Sequence, residues 1–96
     1  MALITHGERK LGDLDGIGPA MLGDFHLLGI QSVAELALQE PERIYSELCA
    51  RTGAVQDVCV LDVFRCAVAQ ARDANLPAEQ RKWWWWSRAR KEGRLA

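Results

Sequence analysis

The sequence predicts an all-α fold, a compact domain of five or six helices. Three observations carry this. Apolar residues recur at helical spacing through most of the chain, and no stretch shows the sustained alternation of β-branched residues that marks a strand. Pro19 and Pro41 stand where helices open, and Gly29 and Gly53 stand where they close. Between Leu14 and Ala20, the run Asp15-Gly16-Ile17-Gly18-Pro19 has the composition of a tight turn joining two helices.

Taken in order, a first short helix spans about Glu8 to Leu14. The glycine turn follows, and a second helix runs from Pro19 to about Leu28, with Met21, Leu22, Phe25 and Leu28 facing the core. Gly16 and Gly18 permit positive φ and close backbone approach. Pro19 suits the first helical position, where its missing N–H costs nothing. Together these residues form a helix-hairpin-helix motif. Ser32 caps a third helix and Glu35 completes a capping box, with Val33, Leu36 and Ala37 on the apolar side. Pro41 opens a fourth helix with Ile44, Tyr45, Leu48 and Cys49 on a wide apolar face, and Gly53 ends it.

Asp57 caps the fifth and longest helix, which reaches about Asp73. Val60, Phe64, Ala67, Val68 and Ala71 mark one face, and Cys59, Val63 and Cys66 mark the next. A helix so apolar on most sides belongs at the centre of the fold. Beyond Asn75 and Pro77, residues 78–96 form a basic, Trp-rich C-terminal helix or tail. Thr52-Gly53-Ala54-Val55 echoes the first hairpin as a degenerate second unit that lacks the second glycine.

Ninety-six residues, 49% hydrophobic and 26% charged, are expected to form a single globular domain over 1–96. No apolar run approaches the ~20 residues that a membrane span needs. The N-terminal residues do not read as a secretory signal. Three cysteines with no Cys-x-x-Cys pair favour reduced thiols and a cytoplasmic setting. The net charge of −1 conceals an asymmetry. Through residue 80 there are six Lys or Arg against twelve Asp or Glu, a net of −6. From Arg81 onward there are six against one, a net of +5. Such a tail binds nucleic acid or folds back on an acidic body, its own or a neighbour's.

The hairpin has two readings. Backbone N–H groups around Gly16, Ile17, Gly18 and Ala20 can contact a DNA phosphate beside a helix N-terminus, or the turn simply packs two helices. Asp13, Asp15 and Asp24 surround it and oppose a polyanion. Hydrogen bonds from glycine N–H groups would be independent of base sequence. In the tail, Lys82, Arg88, Arg90 and Lys91 are the candidate phosphate contacts. Trp83, Trp84, Trp85 and Trp86 point in directions ~100° apart on a helix, so one flat surface cannot bury them all. They can stack on bases, anchor a protein partner or a second copy of the chain, or close the core.

Metal and cofactor chemistry find no support. Cys59 and Cys66 lie two helical turns apart, ~10 Å, too far to share one zinc, and Cys49 is on the preceding helix. An iron–sulfur cluster needs four ligands, and neither His6 nor His26 has ligand spacing. The thiols read as core packing, and no metal or cofactor is expected. No P-loop, His-Glu-x-x-His motif or Ser/His/Asp arrangement is present, so no catalytic residue is nominated. The expected function is a non-enzymatic, sequence-independent DNA-binding module. The alternative is a protein-interaction or homodimerisation module that uses the acidic body and the Trp-rich tail.

Gly16-Ile17-Gly18-Pro19-Ala20-Met21 followed by Leu28-Gly29-Ile30-Gln31-Ser32-Val33 resembles helix-hairpin-helix proteins generally. Leu48 to Gly53, the segment Asp57 to Val68 and the Lys82-Trp83-Trp84 tail together resemble the small bacterial pathogenicity-locus family, whose members are also labelled mitomycin resistance proteins. The resemblance runs from about Leu11 to Lys91 and is most specific between Cys59 and Val68. It implies an all-helical domain, a bacterial cytoplasmic protein and a link to DNA damage. It carries over no catalytic residue.

Overall fold

The computed structural model describes residues 9–95. They form five α-helices: α1 (Pro19–Leu27), α2 (Val33–Ala37), α3 (Pro41–Thr52), α4 (Val58–Arg72) and α5 (Trp83–Lys91). Two 3-10 turns, Leu11–Asp13 and Ala78–Arg81, precede α1 and α5, and there is no strand among the described residues.

Local chemistry sets most of the boundaries. Pro19 and Pro41 open α1 and α3. After α1, the Ile30 N–H reaches the Phe25 carbonyl at 2.8 Å and the Gly29 N–H reaches that of His26 at 3.0 Å, the paired closure that glycine permits. Gly53 closes α3 in the left-handed region. Ser32 Oγ accepts from the Glu35 N–H at 3.0 Å, while the Glu35 carboxylate accepts from the Gln31 N–H at 2.6 Å. The reciprocal bond of the expected capping box is therefore displaced by one residue. Asp57 accepts from the Cys59 N–H at 2.8 Å and starts α4. That backbone bond holds the Asp57 carboxyl below its usual 3.8.

α4 is the hub, packed against α2, α3 and α5. Phe64 stacks on Phe25 of α1 with ring centroids 5.6 Å apart, and both rings are fully buried. Leu36, Ile44, Leu48 and Val68 complete the centre. Met21, Leu22, Leu28, Val60 and Val63 pack on its rim, half-buried.

Two expected elements differ from the observed ones. The helix expected from Glu8 to Leu14 is only the 3-10 turn Leu11–Asp13 in the described residues, and Glu8 lies outside them. The Asp13 carboxylate takes the Lys10 N–H at 2.8 Å and Leu14 is extended, so the turn does not propagate. The helix expected from Ala78 is broken at Lys82, whose backbone is extended. The Trp86 indole N–H donates to the Gln80 carbonyl at 2.8 Å, taking an acceptor that a continuous helix would use itself.

Candidate nucleic-acid interface

The glycine turn is held by the core on one side and open on the other. Leu14 and Ile17 are buried, whereas Gly16, Gly18, Pro19 and Ala20 are exposed. Gly16 has φ 85°, a conformation that favours glycine. Gly18 instead caps α1 in extended backbone, so the positive φ expected there is absent. A Cβ on Gly18 would meet nothing within 4 Å, so nothing inside the fold requires glycine at that position. The Ile17 N–H is committed to the Leu14 carbonyl at 3.3 Å, and its side chain is core.

Gln70 of α4 fixes the turn. Its side-chain amide accepts from the Asp15 N–H at 2.9 Å and donates to the Asp15 carbonyl at 3.0 Å. Gln70 is itself buried, and Arg9 donates to its backbone carbonyl at 2.7 Å.

The basic segment folds back onto its own chain. Arg81 Nε and Lys82 Nζ lie 3.4 and 3.6 Å from Asp15 Oδ2, and Arg81 also donates to the Leu76 carbonyl at 3.0 Å. Arg90 forms a two-pronged pair with Asp62, both bonds 2.9 Å, and Asp62 is completely buried. Arg94 pairs with Glu92 and sits 5.3 Å from the Trp85 ring centroid. Arg88 and Lys91 are exposed and make no ion pair among the described residues. Of the four candidate phosphate contacts, Lys82 is therefore brought to the hairpin, Arg90 is a structural partner of Asp62, and Arg88 and Lys91 face solvent.

The four tryptophans have four environments. Trp84 is 52% exposed, while Trp83, Trp85 and Trp86 are half-buried. Trp83 meets Trp84 edge-on at 6.3 Å, and Trp85 meets Trp86 edge-on at 4.9 Å.

Sequence reasoning missed Arg81, Gln70 and Asp62. Arg81 was counted only within the basic tail. Gln70 and Asp62 carried a signal: each is a polar residue inside the most apolar helix of the chain. Of the three acids around the turn, Asp15 has two cationic neighbours and Asp13 caps a backbone N–H. Asp24 is half-buried, and desolvation pushes its carboxyl pKa up.

The three thiols are unbridged. Cys66 is buried, its Sγ 3.5 Å from the Gln70 amide nitrogen and 3.6 Å from the Gln80 carbonyl oxygen. Burial pushes its pKa up to about 11. Cys66 is expected to resist iodoacetamide at pH 8 in the folded protein and to be modified in guanidinium, as peptide mass mapping will read. No group of three or more His, Cys, Asp or Glu among the described residues could hold a metal ion. An open pocket of about 250 Å³ where the start of α3 meets α4 and α5 is lined in part by Arg65, Arg72, Trp86 and Leu95. Both arginines are already paired, to Glu42 at 2.9 Å and Glu40 at 3.3 Å. No described helix is long and apolar enough to cross a membrane.

Compared with known proteins, residues 5–92 match the family described as "Pathogenicity locus", which is nearly the whole chain. No curated protein and no solved structure matches it.

Proposed function

We propose a function for a chain that belongs to the pathogenicity-locus family: a non-enzymatic, sequence-independent DNA-binding module whose glycine turn seats a phosphate. In this reading the Leu11–Asp13 turn, the glycines and α1 act together as a helix-hairpin-helix, and a cytoplasmic setting fits the unbridged thiols.

The observation that carries the reading is the approach of Arg81 and Lys82 to Asp15. The turn stands among carboxylates, which repel a polyanion. Two cations from the far end of the chain offset that charge beside Gly16 and Gly18. Both retain substantial solvent exposure, so a phosphate can compete with Asp15 for them. Gly18 adds a second support. Its backbone angles suit any residue and its missing side chain leaves only open space, a shape that admits an external group close to the main chain. Contacts from main-chain N–H groups and from Lys or Arg to phosphate position a strand without reading it.

Fluorescence anisotropy with labelled DNA across a salt series tests this. Binding is expected at low salt and should weaken steeply as salt rises. The double variant Arg81→Ala/Lys82→Ala should lower the slope of log K against log salt by up to about two. Gly18→Ser should keep the melting temperature, because serine caps a helix as well as glycine does, yet bind at least roughly ten-fold more weakly. Absence of binding at low salt, or unchanged affinity in both variants, overturns the proposal. Arg90 is left out of the set because its loss would strand Asp62.

A further inference from the structure

The exposed face of α5 carries three residues in register: Trp84, Arg88 and Lys91. They stand at i, i+4 and i+7, so they line one side of the helix over about 10 Å. Every other cation of the C-terminal segment has an acidic neighbour: Asp15 for Arg81 and Lys82, Asp62 for Arg90, and Glu92 for Arg94. Arg88 and Lys91 have none among the described residues. Trp84 is the most exposed of the four indoles, and Trp83 meets it at an interplanar angle of 78° with ring centroids 6.3 Å apart. Lys82, which reaches the hairpin, lies just before this stripe at the N-cap of α5.

We propose that this face is a track for single-stranded DNA, with an unpaired base stacked on Trp84 and successive phosphates to one side of it on Arg88 and Lys91. The inference rests on the DNA-binding reading and specifies its substrate. The charge of the stripe calls for a polyanion, and the indole calls for a flat aromatic partner. A duplex offers the first but hides the faces of its bases within the stack, whereas a single strand offers both. The stripe is long enough for on the order of three stacked nucleotides at ~3.4 Å each.

The test compares a fluorescein-labelled oligothymidylate with a blunt hairpin duplex, by anisotropy at low salt. Wild-type protein should bind the single strand more tightly. Trp84→Ala should weaken single-strand binding roughly ten-fold and move duplex binding less than about two-fold, as expected when one stacked base is lost. Trp84→Phe should retain most of the affinity, because it keeps an aromatic face. Thermal melting of both variants should stay close to wild type, since the side chain is half exposed. Equal or better binding of the duplex by wild-type protein, or an unchanged single-strand affinity in Trp84→Ala, overturns the single-strand track and leaves the DNA-binding reading standing. Failure to bind either probe removes both.

Discussion

Arg90→Met is expected to lower the melting temperature by roughly 10–20 °C, the consequence of about 3 kcal/mol in a domain of this size. The cost falls on Asp62. Its carboxylate is completely buried and takes both short bonds from Arg90. Without them its nearest cation is Arg65, whose Nη1 lies 3.8 Å away and has no hydrogen-bond partner. Breaking a fully buried pair by removing one member costs about 3–5 kcal/mol, and the partial exposure of Arg90 together with the remaining Arg65 argues for the low end or below. The double variant Asp62→Leu/Arg90→Met should recover much of the loss, because no charge is then stranded. Circular dichroism melts of the two single variants and the double variant give the coupling directly. The pair joins α4 to the end of α5, so its loss should also loosen the helix that carries the tryptophans.

Gln70→Leu is expected to destabilise the fold by roughly 2–3 kcal/mol, with a localised signature. The substitution keeps bulk at a buried position and removes both bonds to the main chain of Asp15. An amide and a carbonyl at the part-buried edge of the core are left without protein partners, and the nearness of water holds each to the low end of the about 1–3 kcal/mol that a buried orphan costs. Native-state hydrogen exchange should show the Asp15 amide losing protection beyond the global change. If the turn seats phosphate as proposed, DNA affinity should fall too, although Gln70 is buried and cannot touch a ligand itself.

The sequence made the local architecture readable. Pro19, Pro41, Ser32, Gly53 and Asp57 act on neighbours within a turn, so their letters sufficed. Phe64, Ala67, Val68 and Ala71 are buried as the helical period requires. What escaped is long-range. Gln70 and Asp15 are 55 residues apart, Arg81 and Asp15 are 66 apart, and no spacing rule joins them. The break at Lys82 escaped for a different reason. It has neither Gly nor Pro, and its accompanying contact is tertiary in kind, the Trp86 indole taking the Gln80 carbonyl. Arg90 stands among the candidate phosphate contacts in the sequence because its partner, Asp62, lies on another helix. In each case the deciding contact is tertiary, and an unpartnered polar letter on an apolar helix was the available clue.

The seating of α5 also decides what the tryptophan run can report. Consecutive positions on a helix face directions ~100° apart, so the four indoles of α5 meet four different surroundings. Here Trp86 is tied to the Gln80 carbonyl, Trp85 lies beneath the Arg94 guanidinium, Trp83 is half-buried and Trp84 faces water. Four identical letters are thus expected to act as four distinct reporters, one on the Ala78–Arg81 turn, one beneath Arg94, one half-buried beside Trp84 and one on the exposed face. The emission of the folded protein is a composite, and single Trp→Phe replacements would separate it into site-resolved channels.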